Sequence, residues 1–535
     1  MKNKNTILSK LRNTNNLILI GILFFNAYLR LLQINHLFIW LEDYDEGAYS
    51  TGARFISQGF LPYRDFTMVH PPLYDLVLAS IYKIFGFNFF YGRYLSVILS
   101  LICIVLVYLI VKKLFNPTAA LIASAAFALF PGLTLFWYRA VQEALGITLV
   151  LTAIWFATDY IVKKEHQKRL FFSGLFLGLA LATKYTFLTS VVAVTISVGL
   201  LSMEGCWRHF RSIITGLLQQ HLWLLIAGIV TGFLAVTGYF IVKCPAAFFN
   251  QTILSQLHYR LDTGFNTTVS VVSAFPSGLA HFLSLTSGTQ IDTIATFGFF
   301  LAILILVALL IKRDFSRSNR FLLFGLIVSL IICANVQPLG TMRYTVPVYI
   351  FALLSLAVFV GNLDIKTVSN KINLRIMRDN LGLVLVVLLL AVFTTGTIGL
   401  RFVYNYQGGG KPIYEEQAYQ KVVNYLEMAG AKKIYSLNPI IPALSTKFSS
   451  CLQFDTYGML FVMKTPPDEI VDKEIADGAD YIVLDPFWLM DSSSGDETGK
   501  LVEDIESRSE LVKKITPDNL DVSAFTYLIY RVNKP

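Results

Sequence analysis

Between Leu41 and Leu73 the chain reads LEDYDEGAYSTGARFISQGFLPYRDFTMVHPPL. Three acids (Asp43, Asp45, Glu46), two arginines (Arg54, Arg64) and a His-Pro-Pro step at His70 fall in one short stretch. Carboxylates grouped this closely suit general-base work or a divalent cation. Glu143, in WYRAVQEAL, is a further acid of the same kind. A structural role is the alternative for each. Asp43 and Glu46 have the D-x-x-E spacing of a capping box, with YSTGARFISQ as the helix it opens. Glu143 fits a first-turn acid facing a helix dipole. His70 fits a turn held extended by the prolines after it. Asp45 is not explained by capping, and it is the acid expected to carry the chemistry.

These groups have to be held by a membrane protein. Of 535 residues, 55% are hydrophobic, 15% are charged and 14% are aromatic, and the mean hydropathy is +0.59. Apolar runs fall at roughly 16–34, 93–111, 118–133, 141–162, 170–183, 187–202, 222–242, 293–311, 321–338, 343–361 and 381–402, about 11 spans in all. The basic N-terminus (Lys2, Lys4, Lys10, Arg12) runs into the first of them without a clear small-residue cleavage site, so it reads as an uncleaved span. With that end in the cytoplasm, Lys112-Lys113, the KKEHQKR loop at 163–169, Arg208 and Arg211, the KRDFSRSNR loop at 312–320, and Lys366 to Arg378 all fall on the cytoplasmic side. The net charge of +9 is therefore topogenic, and no nucleic-acid partner is expected. The acid-rich stretch and the tail fall on the opposite side.

That outer side also holds cations the topology rule does not need: Arg30, Arg93, Arg139, Lys184, Arg260 and Arg343. Cations at membrane depth are costly and mark functional pathways, here most simply an anionic lipid phosphate. Snorkelling to water is the structural alternative. Lys184, flanked by LALAT and YTFLTS, favours function. The five cysteines are scattered with no C-x-x-C, so neither a disulfide framework nor a zinc site is expected. From about residue 403 the pattern becomes helix, Gly turn and buried strand, twice, with a last strand at AFTYLIYRV. A small extracytoplasmic α/β domain over about 403–535 follows, after a membrane domain over about 1–402. No phosphate-loop or dinucleotide motif occurs.

Taken together, the pattern resembles the GT-C glycosyltransferases of the protein O-mannosyltransferase and aminoarabinose (lipid A) transferase superfamily. The resemblance rests on Arg30, on Asp45-Glu46 followed by AYSTGARFISQGFLPY, on HPPL at His70, and on FGFNFFYGRYLSVI with Arg93. It continues with GLALATK ending at Lys184 and with RYTVPVY at Arg343 and Tyr344. It covers roughly residues 16–360. It implies a mainly α GT-C bundle with outer-face loop helices in the plasma membrane. It implies an inverting transfer of a sugar from a polyprenyl-phosphate donor to a lipid, glycan or protein acceptor. Asp45, with Glu46 and Glu143, then takes the catalytic place. Lys184, Arg343, Arg93 and Tyr344 take the donor phosphate, and His70, Arg54 and Arg64 complete the substrate site. Asp45 and Glu143 would hold magnesium or manganese if a cation takes part. His70 stands where aminoarabinose transferases have Lys and protein mannosyltransferases have His, and Glu143 stands near where many relatives carry Asp. The competing readings are a flippase or transporter for lipid-linked saccharides, which would more naturally show an inverted repeat, and a membrane assembly factor binding a partner through its tail.

Overall fold

The computed structural model describes residues 2–32, 34–35, 41–130, 133, 135–203, 220–262, 301–310, 316–336, 342–360, 414–485, 497–516 and 526–533. The membrane part is helical: α1 Lys2–Leu31, α2 Leu41–Ser57, α3 Leu73–Phe85, α4 Phe90–Leu114, α5 Pro117–Leu129, α6 Gln142–Lys163, α7 Arg169–Leu181, α8 Leu188–Ser202 and α9 Gln220–Lys243. After these come α10 Pro245–Phe249, α11 Ser255–Asp262, α12 Leu301–Leu310, α13 Arg317–Val336 and α14 Met342–Val360. Five stretches among the described residues are long and apolar enough to cross a bilayer: Thr14–Leu31, Phe90–Leu114, Gln142–Lys163, Tyr185–Ser202 and His221–Lys243. The expected span at 381–402 lies outside the described residues.

Two expected spans are short helices. α5 opens on Pro117, with the Asn116 side chain accepting the Ala119 amide at 2.8 Å. It stops at Leu129, ahead of Pro131 and Gly132, so it has 13 residues and rises about 20 Å. α7 also has 13 residues and gives way to a 3-10 turn at Tyr185–Phe187. Arg139 and Lys184, which follow these helices, lie inside the bundle at 3% and 5% exposure rather than reaching water by snorkelling. α7 and α9 cross at glycines. A Cβ at Gly178 would lie 2.1 Å from the Ile229 carbonyl, and one at Gly228 2.1 Å from the Phe171 carbonyl. Small residues four apart on both helices let the backbones touch, as in lipid-embedded helix pairs. α1 and α9 are the least covered of the five long segments, with only 17% and 28% of their apolar windows buried, and they present side chains such as Phe24, Trp223 and Val242 outward.

The capping reading of Asp43 and Glu46 is corrected. α2 begins at Leu41, so both acids lie within the helix rather than at its mouth.

The tail folds as α15 Tyr414–Met428, β1 Lys433–Ser436, α16 Ile440–Ala443, β2 Ser449–Ser450, α17 Pro467–Ala476, β3 Tyr481–Leu484, α18 Glu497–Arg508, β4 Ser509–Ile515 and β5 Tyr527–Val532. The sheet order is β2-β1-β3-β5-β4. β1 is parallel to β2 and β3, while β5 is antiparallel to β3 and β4. Alternation along the strands feeds two cores. Ile434, Tyr481, Val483 and Ile529 pack with α15, and Tyr435, Ile482, Leu484 and Tyr530 pack with α17 and α18. The strand β4 is not legible in the sequence. It is an edge strand whose central residues are largely exposed, and a register shift lies between Leu511 and Lys513. The expected boundary near residue 403 lies outside the described residues.

The sheet unit packs on α2. A Cβ on Gly47 would lie 2.2 Å from the Ile440 backbone nitrogen. The Tyr44 hydroxyl donates to Asp455 at 2.9 Å and accepts the Tyr457 amide at 2.8 Å. Gln453 accepts from the Thr67 amide and hydroxyl at 3.0 and 2.7 Å. Phe454 joins Phe55, Tyr63, Phe66 and Phe248 in one aromatic cluster.

Candidate functional site

α2 turns its consecutive acids to different surroundings. Glu46 is fully buried, and its carboxylate meets Arg93 of α4 in a fork, 3.1 Å to Nε and 2.5 Å to Nη2. The Ala140 amide donates to the same carboxylate at 2.5 Å, and Arg93 donates to the Ile34 carbonyl at 3.0 Å. The guanidinium lies 5.2 Å from the Phe89 ring centre. A charge pair this dry persists only when its donors and acceptors are engaged, and here they clamp α2, α4 and the segment before α6 together. Asp45 is half-buried, and its carboxylate accepts from the Tyr49 hydroxyl at 3.4 Å. The Tyr49 ring lies 6.1 Å from the His70 ring and 5.7 Å from that of Tyr74. His70 is half-buried, and its backbone carbonyl accepts from the Tyr63 hydroxyl at 2.8 Å. Asp45, Tyr49 and His70 thus share one neighbourhood.

The two arginines expected beside Asp45 point elsewhere. Arg54 donates to the Ser445 and Pro442 carbonyls at 3.0 and 3.4 Å and covers the Phe87 ring at 4.4 Å, tying α2 to the sheet unit. Arg64 is exposed and pairs with its neighbour Asp65 at 2.8 Å.

Glu143 opens α6 as the dipole argument anticipates, and it also meets Lys184 at 2.7 Å, both side chains nearly fully buried. The other Glu143 oxygen is buried without a hydrogen-bond partner. Arg30 is buried and donates from Nη2 to the Ala128 carbonyl at 2.6 Å, while its Nε has no hydrogen-bond partner. Arg139 is buried 5.9 Å from the Tyr138 ring centre. Arg343 and Tyr344 open α14, and their side chains, like that of Arg260, lie outside the described residues.

Asp75 escapes sequence reading. It lies in the first turn of α3, where an acid needs no further explanation. Folding buries it against Gly52 of α2, with the Gln142 amide 3.5 Å from its carboxylate, and burial pushes that carboxyl well above the usual range. The only signal for it is its place directly after HPPLY. Tyr74 is fully buried, and burial pushes its phenol well above the usual range, with the charges of Glu46, Asp75 and Glu143 adding to the shift.

In this arrangement Asp45 and Glu143 each have other partners. Lys184 already neutralises Glu143, Tyr49 engages Asp45, and among the described residues no group of three ligand-type side chains forms around either acid.

Residues 69–231 match the family model of the dolichyl-phosphate-mannose-protein mannosyltransferases. No curated protein matches the chain. ArnT from Cupriavidus metallidurans in the apo state shares the fold, with a TM-score of 0.57 at 13% identity over 98% of this chain and 98% of that one. The same protein bound to undecaprenyl phosphate gives a TM-score of 0.52 at 13% identity, again over 98% of each chain. The apo oligosaccharyltransferase of Archaeoglobus fulgidus gives 0.54 at 13% identity, over 96% of this chain and 75% of its own.

Proposed function

We propose that this chain, a member of the GT-C glycosyltransferase superfamily by its family match and its fold, moves a sugar from a polyprenyl-phosphate donor to a hydroxyl or amine of a lipid, glycan or protein. The transfer takes place on the outer face of the plasma membrane, with the N-terminus in the cytoplasm. The observation that carries the reading is the division of labour on α2. Glu46 is sealed into a clamp with Arg93, while Asp45, one residue earlier, stays half-exposed beside Tyr49 and His70. The undecaprenyl phosphate bound by the Cupriavidus protein supports a lipid phosphate as the leaving group.

The chemistry follows from the charges. The acceptor attacks the anomeric carbon as the bond to the lipid phosphate oxygen breaks, so configuration inverts in one displacement. The acceptor's proton passes to Asp45 as general base. The departing phosphate keeps the bonding electrons and needs cations. Lys184 supplies one by turning from Glu143 toward the phosphate, and the Arg343 and Tyr344 segment lies at the opening of α14 to assist.

The test is transfer of labelled sugar from a polyprenyl-phosphate donor by reconstituted protein. Asp45→Asn keeps the shape and removes the basicity, so turnover is expected to fall about a hundredfold or more with the melting temperature unchanged. Turnover near wild type would remove Asp45 from the catalytic place. Absence of transfer from any polyprenyl-phosphate sugar by the wild-type protein would remove the activity itself.

A further inference from the structure

The sheet unit gathers ligand-type side chains that the proposed transfer does not use. Cys451 follows β2, Glu474 lies in the last turn of α17, and Asp477 lies just beyond that helix. The thiol and one oxygen from each acid all lie within 4.8 Å of one another. Cys451 and Glu474 are both 0% exposed. Neither carboxylate oxygen of Glu474 has a hydrogen-bond partner. Lys433 is committed to Asp477 at 2.6 Å, and Lys473 pairs with Glu469 instead. Asp477 also accepts the Leu452 amide at 2.8 Å, so its carboxylate is fixed in place before any ligand arrives. The Cys451 sulfur lies 3.9 Å from the Glu474 carbonyl oxygen, which holds the thiol against the helix end.

A carboxylate buried this deeply is expensive, and within this cluster the Cys451 thiol is a weak donor to set against the cost. A cation there would meet the sulfur and one carboxylate oxygen from each acid. The donor set decides which cation. Magnesium and calcium prefer oxygen ligands throughout, whereas sulfur with carboxylate oxygen suits a borderline divalent ion in a tetrahedral setting. Three protein ligands leave the fourth position to water. Lys433 and the Leu452 amide then act as outer partners that orient Asp477.

We propose that Cys451, Glu474 and Asp477 form a binding site for a divalent transition ion, zinc by its donor set, which joins β2 to the end of α17. The site is separate from the α2 acids, and the proposal does not rest on the transfer reading. The bound ion holds the segment Cys451–Tyr457, whose Gln453, Phe454, Asp455 and Tyr457 dock on the α2 region.

The test uses the purified full-length protein, stripped with a chelator and titrated with zinc, magnesium or cobalt. A single equivalent of zinc is expected to bind and to raise the melting temperature, with magnesium having no effect. Cobalt is expected to give a near-ultraviolet thiolate-to-metal band that Cys451→Ser abolishes. Glu474→Gln, isosteric and uncharged, should weaken zinc binding about tenfold or more. Absence of the cobalt band in the wild-type protein would overturn the proposal without reference to any variant, and so would undiminished zinc affinity in Glu474→Gln.

Discussion

Glu46 and Asp45 are adjacent in sequence and answer to different physics. Glu46 meets a guanidinium with both side chains at 0% exposure, so removing its charge strands Arg93 in a dry site. Breaking such a pair by altering one partner costs about 3–5 kcal/mol. Glu46→Gln is therefore expected to lower the melting temperature of the purified protein by several degrees and to lower transfer only in step with the folded fraction. Asp45→Asn should leave the melt untouched. A Glu46→Gln melt superimposable on wild type would mean that the clamp contributes nothing. The sequence favoured Asp45 because a capping box would employ Asp43 and Glu46, and the helix start at Leu41 removes that argument. It could not show the partner of Glu46, which lies 47 residues away on another helix. It pointed to Lys184 and Glu143 separately, one as a cation and one as an acid on the outer side. Their contact across 41 residues has no local signature. Asp75 was hidden for the opposite reason: a first-turn acid is so ordinary on the surface of a helix that only its burial makes it unusual.

At the scale of elements, α2 is the piece through which the bundle and the sheet unit meet. Gly47 is required there by space rather than by backbone angle, since a side chain would enter the Ile440 backbone. Gly47→Val is expected to lift the sheet unit from α2. It should lower transfer about tenfold or more by misplacing Asp45 and should open the connection to limited proteolysis, while Gly21→Ala, where a Cβ meets nothing within 4 Å, should do neither. A Gly47→Val protein as protease-resistant and active as wild type would refute the close approach. The same contact carries a pH dependence. Burial raises the Asp455 carboxyl, against the opposing hydrogen bonds from the Gly458 amide and the Tyr44 hydroxyl. The folded value therefore lies above the unfolded one. The stability this group contributes is complete below the ordinary carboxylate range and is lost as pH rises through the folded value. Asp455→Asn should flatten that part of the profile, as read from melting temperatures between about pH 4 and pH 8. A variant with the wild-type slope would assign the dependence to another group. None of this docking was legible in the sequence, because period-2 and period-3.6 patterns report which face of an element is buried and not what covers it.

For the whole molecule, the two ends of the bundle differ in charge. Lys113 at the end of α4 and Arg169 at the start of α7 both pair with Asp159 near the end of α6. Arg317, opening α13, donates to the Tyr160, Ile161 and Leu201 carbonyls, and Ser318 donates to that of Leu114. The ends of α4, α6 and α8 and the starts of α7 and α13 thus meet at one pole, together with Lys112, Lys163 and Lys164. The opposite pole carries α2, α3 and the sheet unit docked on them. Hydropathy and loop charge predict such an alternation, since both are sums over many residues and tolerate local error. The lengths of α5 and α7 were not readable, because an apolar run continues past the point where its helix stops. Short loops rich in Lys and Arg stay in the cytoplasm, so the basic pole is expected to face inward and the sheet unit to lie outside. A fluorescent reporter that matures only in the cytoplasm, fused after Pro535, is expected to stay dark. The same reporter placed in the loop at Lys164–Lys168 should be bright, and the paired fusions separate a topological result from a failure to express. A bright fusion after Pro535 would put the sheet unit on the cytoplasmic side. α2 is bound to it through Gly47, Tyr44 and Arg54, so Asp45 would move to that side as well, and the outer-face transfer reading would fall with it.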